Sequence, residues 1–165
     1  MCNRTLQEGL VMEYGSIERE IHVEAAPEIV YEVISSPAHM REWWPDEAHF
    51  EPVPGGTGDI TFIDKAGAGR TTVPFTVVAT EPPRFFSFRW THPADESANQ
   101  GNSLLVTFEL TPVGEGTRVR FTETGFRERG WEIAALEEQY NEHVKGWDYF
   151  IPRLNEYVER LVSSR

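Results

Sequence analysis

An α+β fold follows from three features of the 165-residue chain. Between about Phe50 and Phe126, segments alternate apolar and polar residues, Gly and Pro punctuate those segments, and from Ile133 onward apolar residues recur at spacings of three and four. Period two marks strands with one buried face, and spacings of three and four mark one face of a helix. Consecutive strands joined by short turns make an antiparallel sheet, and its apolar face must be covered by another element. The C-terminal helix is the only element long enough to cover it.

The first patterned segment runs from Ser16 to Glu24: Ile17, Arg19, Ile21 and Val23 alternate with Glu18, Glu20, His22 and Glu24, as in a half-buried strand. At Ala25-Ala26-Pro27 the period changes. Pro27 suits the first position of a helix, Glu28 favours its positive end, and Ile29, Val30, Val33 and Ile34 make one stripe. Ser36-Pro37 repeats the start chemistry, with Ser36 as N-cap, and Met40, Trp43 and Trp44 form an apolar edge before Pro45. Two short helices therefore follow the first strand.

Gly55-Gly56-Thr57-Gly58 then introduces Ile60, Phe62 and Asp64 on one face, and Lys65 to Gly69 reads as a hairpin connection. Val73, Phe75, Val77 and Ala79 share a face up to Pro82-Pro83. Phe86, Phe88 and Trp90 share the next, and after a polar loop come Leu104, Val106, Phe108 and Leu110. Gly114-Glu115-Gly116 turns the chain into Val119, Phe121 and Glu123. The closing helix carries Ile133, Leu136, Tyr140, Val144, Trp147, Ile151, Leu154, Val158 and Leu161 on one side. Pro152 removes a donor and crowds the carbonyl of Asp148, so a kink or loosening is expected there. Residues 1–15 lack periodicity and read as a flexible extension before a single domain spanning 16–165.

Composition narrows the partners. Fifteen Lys and Arg against 27 Asp and Glu leave a net charge of −12, which repels phosphate backbones and anionic headgroups, so neither nucleic acid nor membrane insertion is expected. A single cysteine, Cys2, allows no intramolecular disulfide or thiolate cluster, and no signal-like apolar stretch opens the chain. A cytoplasmic location fits. Ten Phe, five Trp and five Tyr make 12% of the chain, enough large rings to fill a core or line a cavity.

Several pieces together resemble a known superfamily: Ala26-Pro27-Glu28-Ile29-Val30-Tyr31 after the first strand, Trp43-Trp44, the Gly55-Gly56 turn, Thr124-Gly125-Phe126, and His143-Val144-Lys145-Gly146-Trp147. The pattern, over residues 16–162, is similar to START-like (SRPBCC, Bet v 1-like) domains and, more narrowly, to the family related to the C-terminal part of the activator of Hsp90 ATPase. The resemblance implies a helix-grip fold, in which a curved antiparallel sheet wraps a long C-terminal helix around a hydrophobic cavity. It implies no single activity, since such folds host carriers, cyclases, stress proteins and co-chaperones. The eukaryotic activators carry a separate N-terminal chaperone-contacting domain, which the 15 residues ahead of the first strand cannot hold.

Within that frame the residues expected to line a cavity are Trp43, Phe62, Phe75, Phe86, Phe88, Trp90, Phe108, Phe121, Glu123, Tyr140, His143, Trp147 and Ile151. Glu123 is singled out, because alternation turns it inward with Val119 and Phe121, where an unpaired charge is costly. The alternatives are an acceptor or acid–base group facing a ligand, a strand-end carboxylate at the rim, or a carboxylate paired with Arg120, Arg127 or Lys145. His143 either hydrogen-bonds a ligand or caps the cleft edge. Gly146, costly in mid-helix, is read as a close helix crossing. Asp64 is read as solvated.

No His pair has metal-ligand spacing, Gly55 to Gly58 lacks the Lys-Ser/Thr of a phosphate loop, and no nucleophile elbow occurs, so neither metal, cofactor nor covalent catalysis is expected. The expected function is binding of a hydrophobic or aromatic small molecule or lipid. The alternatives are an interaction protein of the Hsp90-activator or stress-response kind, and a cyclase- or hydrolase-type enzyme using the cavity.

Overall fold

The computed structural model describes residues 14–64, 66 and 69–164. Strand β1 (Ser16–Val23) leads into the short helices α1 (Pro27–Ser35) and α2 (Pro37–Met40). Six strands follow: β2 (Glu47–Phe50), β3 (Thr57–Ile63), β4 (Arg70–Glu81), β5 (Phe85–Trp90), β6 (Leu104–Val113) and β7 (Gly116–Thr124), and helix α3 (Ile133–Ser163) ends the fold. The strands form one curved, unclosed sheet ordered β1-β7-β6-β5-β4-β3-β2, with every neighbouring pair antiparallel. With α3 across its inner face, this is the expected α+β helix-grip.

Alternation along the strands builds the core. Phe86 lies opposite Phe108, and Phe108 opposite Phe121, so one face of three adjacent strands presents a row of rings. From α3, Trp147, Ile151, Leu154 and Val158 are buried beside them. The short helix α1 packs against β5, β6, β7 and α3 and buries Val30, Val33 and Ile34. Rings stack further along the sheet, with Phe75 between Phe50 and Phe88 at centroid distances of 4.4 and 4.3 Å.

Several details differ from the sequence expectations. Strand β2 was not separable from the turn after Trp44: it has four residues, buries only Ala48, and pairs along its whole length with β3, Ala48 opposite Ile60. Ser36 sits at the N-cap of α2 with Pro37 first in the helix, but its hydroxyl makes no capping bond. α3 continues through Pro152 without a break, held by the burial of Ile151 and Leu154 on either side. Ile133 begins α3 but is 67% exposed, so the covered stripe starts a turn later. Cys2 and most of the 1–15 extension lie outside the described residues, as does part of the Lys65–Gly69 connection, whose flanking strands pair as a hairpin. No helix of the described residues is long and apolar enough to cross a membrane.

Candidate functional site

A cleft of about 460 Å³ opens between the middle of α3 and the sheet at β3, β4 and β5. Each wall follows from local structure. Along β5 the alternation that buries Phe86 and Phe88 carries Trp90 to the same face at the strand's end, where Thr91 turns the chain with φ 67°. Phe62 of β3 and its neighbour Thr71 of β4, together with Val73, form the second wall. Glu142, His143, Gly146, Trp147 and Phe150 are spaced three and four apart and form the helix side. Trp44, beyond α2, closes the base, with its ring 4.9 Å from Trp147, 5.0 Å from Trp90 and 6.0 Å from Phe62.

Behind this wall lies Glu123, wholly buried on β7 with Ile17 of β1 and Val106 of β6 as backbone neighbours. Its carboxyl accepts hydrogen bonds from Trp90 Nε1 at 2.7 Å on Oε2 and from Trp147 Nε1 at 2.8 Å on Oε1. His143 Nδ1 lies 2.8 Å from Oε1. Both oxygens are therefore occupied, by two indoles that can only donate and one imidazole. Its polar partners are none of Arg120, Arg127 and Lys145; Arg120 faces Glu18 on the outer surface instead. The imidazole of His143 is packed between Trp90 and Phe126, with centroids at 5.3 and 5.4 Å. The buried carboxylate thus ties together the two tryptophans and the histidine that form the cleft surface.

Of the residues expected to line a cavity, Phe62, Trp90, His143 and Trp147 meet in this cleft. Phe75, Phe86, Phe88, Phe108, Phe121 and Ile151 lie in the core behind it, and Glu123 stands one layer back from the surface. Trp43 is also core, 1% exposed, and donates to the Val33 carbonyl, while its neighbour Trp44 faces the cleft. Tyr140 packs on Phe126 and donates to the Ser16 carbonyl, holding α3 to β1. Asp64 is exposed, as read from the sequence.

Thr71, Val73, Thr91, Glu142 and Phe150 were not anticipated as lining residues; Phe150 had a signal in its helical spacing from His143 and Trp147, and Val73 in its alternation with Phe75. The Gly146 expectation is corrected, since a Cβ there would meet nothing within 4 Å. No neighbouring element crosses close to it, and its bare backbone leaves space open on the cleft side. A larger surface depression, about 620 Å³, lies between the β3–β4 end and the 92–98 loop, but Asp59, His92, Asp95 and Glu96 make it polar and Phe75 is the one Phe, Tyr or Trp among its described lining residues. No group of three or more His, Cys, Asp or Glu among the described residues is placed to hold a metal ion.

A long helix laid across a curved antiparallel sheet, with an aromatic cleft between them, defines the START-like class of helix-grip proteins. Within that class, the chain belongs to the family of Activator of Hsp90 ATPase homolog 1-like proteins, whose pattern matches residues 24–159. Solved structures agree on the fold. The chain is similar to protein MLL2253 from Mesorhizobium loti, with 23% identity and a TM-score of 0.67 over 88% of this chain and 97% of that one. It is also similar to the Aha1 dimer from Colwellia psychrerythraea, with 22% identity and a TM-score of 0.60 over 87% and 96%. A third similarity is to DynU16 of the dynemicin biosynthetic locus, with 20% identity and a TM-score of 0.63 over 88% of this chain and 47% of that one. No curated protein matches the chain by sequence.

Proposed function

We propose that this protein binds a neutral apolar or aromatic small molecule in the cleft between α3 and the sheet. The supporting observation is the lining itself: five aromatic side chains, a polar pole at His143, Glu142 as the single formal charge apart from that histidine, and no Lys or Arg. Ligand sites are concave, mostly apolar and of a few hundred Å³ with few convergent polar groups, and this cleft has that composition. Burying on the order of 200 Å² of ligand at about 25 cal/mol per Å² contributes roughly 5 kcal/mol before the costs of association. With no Lys or Arg among the described lining residues, a carboxylate ligand finds no permanent cation there, so a flavonoid-like ring system is favoured over a fatty acid.

Three tryptophans in the wall make the test direct. Titration with a flavonoid, a sterol and a fatty acid, followed by tryptophan fluorescence, should give a saturable change that is strongest for the flavonoid. A flat response to all three, together with no copurifying small molecule in native mass spectrometry, removes the proposal. The family match favours a second reading, a protein partner such as an Hsp90-type chaperone. ATPase stimulation of a purified chaperone that persists when the cleft is blocked would favour that reading.

A further inference from the structure

The Glu123–His143 pair carries information about what the cleft recognises. Glu123 is fully buried, and the indole N–H groups of Trp90 and Trp147 point at its two oxygens, an arrangement that suits an anion. The third partner is His143 Nδ1, at 2.8 Å. A carboxylate held by two donor-only indoles can only accept, so Nδ1, facing Oε1 at hydrogen-bond distance, is the donor of that contact. A neutral imidazole holds one N–H and one lone pair, and pinning the proton on Nδ1 leaves the lone pair on Nε2. His143 lines the cleft while its Nδ1 is turned to the buried carboxylate, and no hydrogen bond from a described residue reaches Nε2. Gly146, one turn further along α3, places no side chain over the imidazole.

We propose that the Glu123–His143 pair is a built hydrogen-bond acceptor, and that the cleft takes ring compounds bearing a hydroxyl that donates to His143 Nε2. This inference rests on the cleft being a ligand site, and adds to it the polar group by which a ligand is chosen and oriented. Glu123 is a positioning residue: it sets which nitrogen of His143 carries the proton and touches no ligand. The two indoles that hold Glu123 also supply the apolar wall, so the ring of the ligand and its hydroxyl are registered against one connected unit.

The test compares three probes of nearly the same size by calorimetric titration: 2-naphthol, which donates; 2-methoxynaphthalene, which cannot; and naphthalene. One hydrogen bond to an otherwise vacant acceptor corresponds to about five- to tenfold in affinity. The expected result is that 2-naphthol binds about that much tighter than the other two, and that the gap closes in His143→Phe while the affinity for naphthalene is kept. Nitrogen-15 spectra of the imidazole at mildly alkaline pH report the tautomer directly. They should show an unprotonated Nε2 in the wild type, and a mixture of tautomers in Glu123→Gln, where the amide no longer enforces one donor. Equal binding of all three probes, or a protonated Nε2 in the wild type, overturns the inference and leaves the cleft as an apolar site. Failure of all three probes to bind, in a folded protein, removes the ligand site as well as its acceptor.

Discussion

The two halves of α3 have the same periodicity and different surroundings. From Trp147 onward, Ile151, Leu154 and Val158 are buried almost completely, whereas earlier Ile133 is 67% exposed and Leu136, Tyr140 and Val144 are only partly covered. The difference comes from which elements cover each half. The segment around α2 reaches the later half, where Nδ1 of His39 meets the Tyr157 hydroxyl at 2.7 Å and Arg153 donates to the Trp43 carbonyl. The earlier half is held through Tyr140 to the start of β1 and to Phe126, and the junction between the halves is where the cleft opens. Hydrophobic spacing therefore tells which face of a helix turns inward, and the covering elements decide how deeply.

Truncating a leucine in each half of α3 tests that contrast. Leu154→Ala removes a wholly buried side chain and should cost about 2–5 kcal/mol, against about 1 kcal/mol or less for Leu136→Ala on the same helix. Urea unfolding of both variants reads the difference, and equal costs would break the comparison. At the junction, Gly146→Ala should stabilise the fold by up to about 1 kcal/mol, because the added methyl meets nothing and the helix gains propensity. The same variant should weaken probe binding, since the methyl projects into the space beside His143. A lower melting temperature would mean that the helix is closely crossed there after all.

A smaller effect belongs to the covered side. Burial in α1 raises the Tyr31 phenol above the usual tyrosine range by disfavouring the phenolate, with the charge of Glu81 adding to it. The folded state thus holds that proton more tightly than the unfolded chain. The resulting stability is complete below the ordinary tyrosine value of about 10 and is lost as the pH rises through the raised one. Unfolding measured across that alkaline window should show a steeper loss in the wild type than in Tyr31→Phe. Identical slopes would show that Tyr31 is hydrated in the folded state.

How much of this was legible in the sequence varies by element. β4 to β7 were readable because each buries one face, so alternation survives in Val73 to Val77, Phe86 to Trp90, Leu104 to Leu110 and Val119 to Glu123. β2 was not, because an edge strand of four residues with one buried side chain leaves almost no period to read. The inward turn of Glu123 was visible from its strand, but its partners were not: they come from β5 and α3, and strand periodicity says nothing about which donors a helix will bring above it. Trp43 and Trp44 are adjacent beyond a four-residue helix, and only the packing against Val33 and Phe108 on one side and Phe62 and Trp90 on the other separates core from cleft. Gly146 was visible as an anomaly whose cause, open space, a sequence cannot display.

The placement of β1 beside β7 has a consequence for how the chain acquires its structure. Ile17 pairs with Glu123, and two of the three groups that satisfy the Glu123 carboxyl arrive still later, on α3. Contacts between such distant parts of a chain are slow to form, since loop entropy is lost before they contribute. A nascent chain on the ribosome can pair β3 to β7 in order as they emerge, but the sheet's inner surface stays uncovered and Glu123 stays hydrated until the residues of α3 are made. Closure of the Glu123 network is therefore a late event in folding, complete only when His143 and Trp147 of α3 have docked on the sheet.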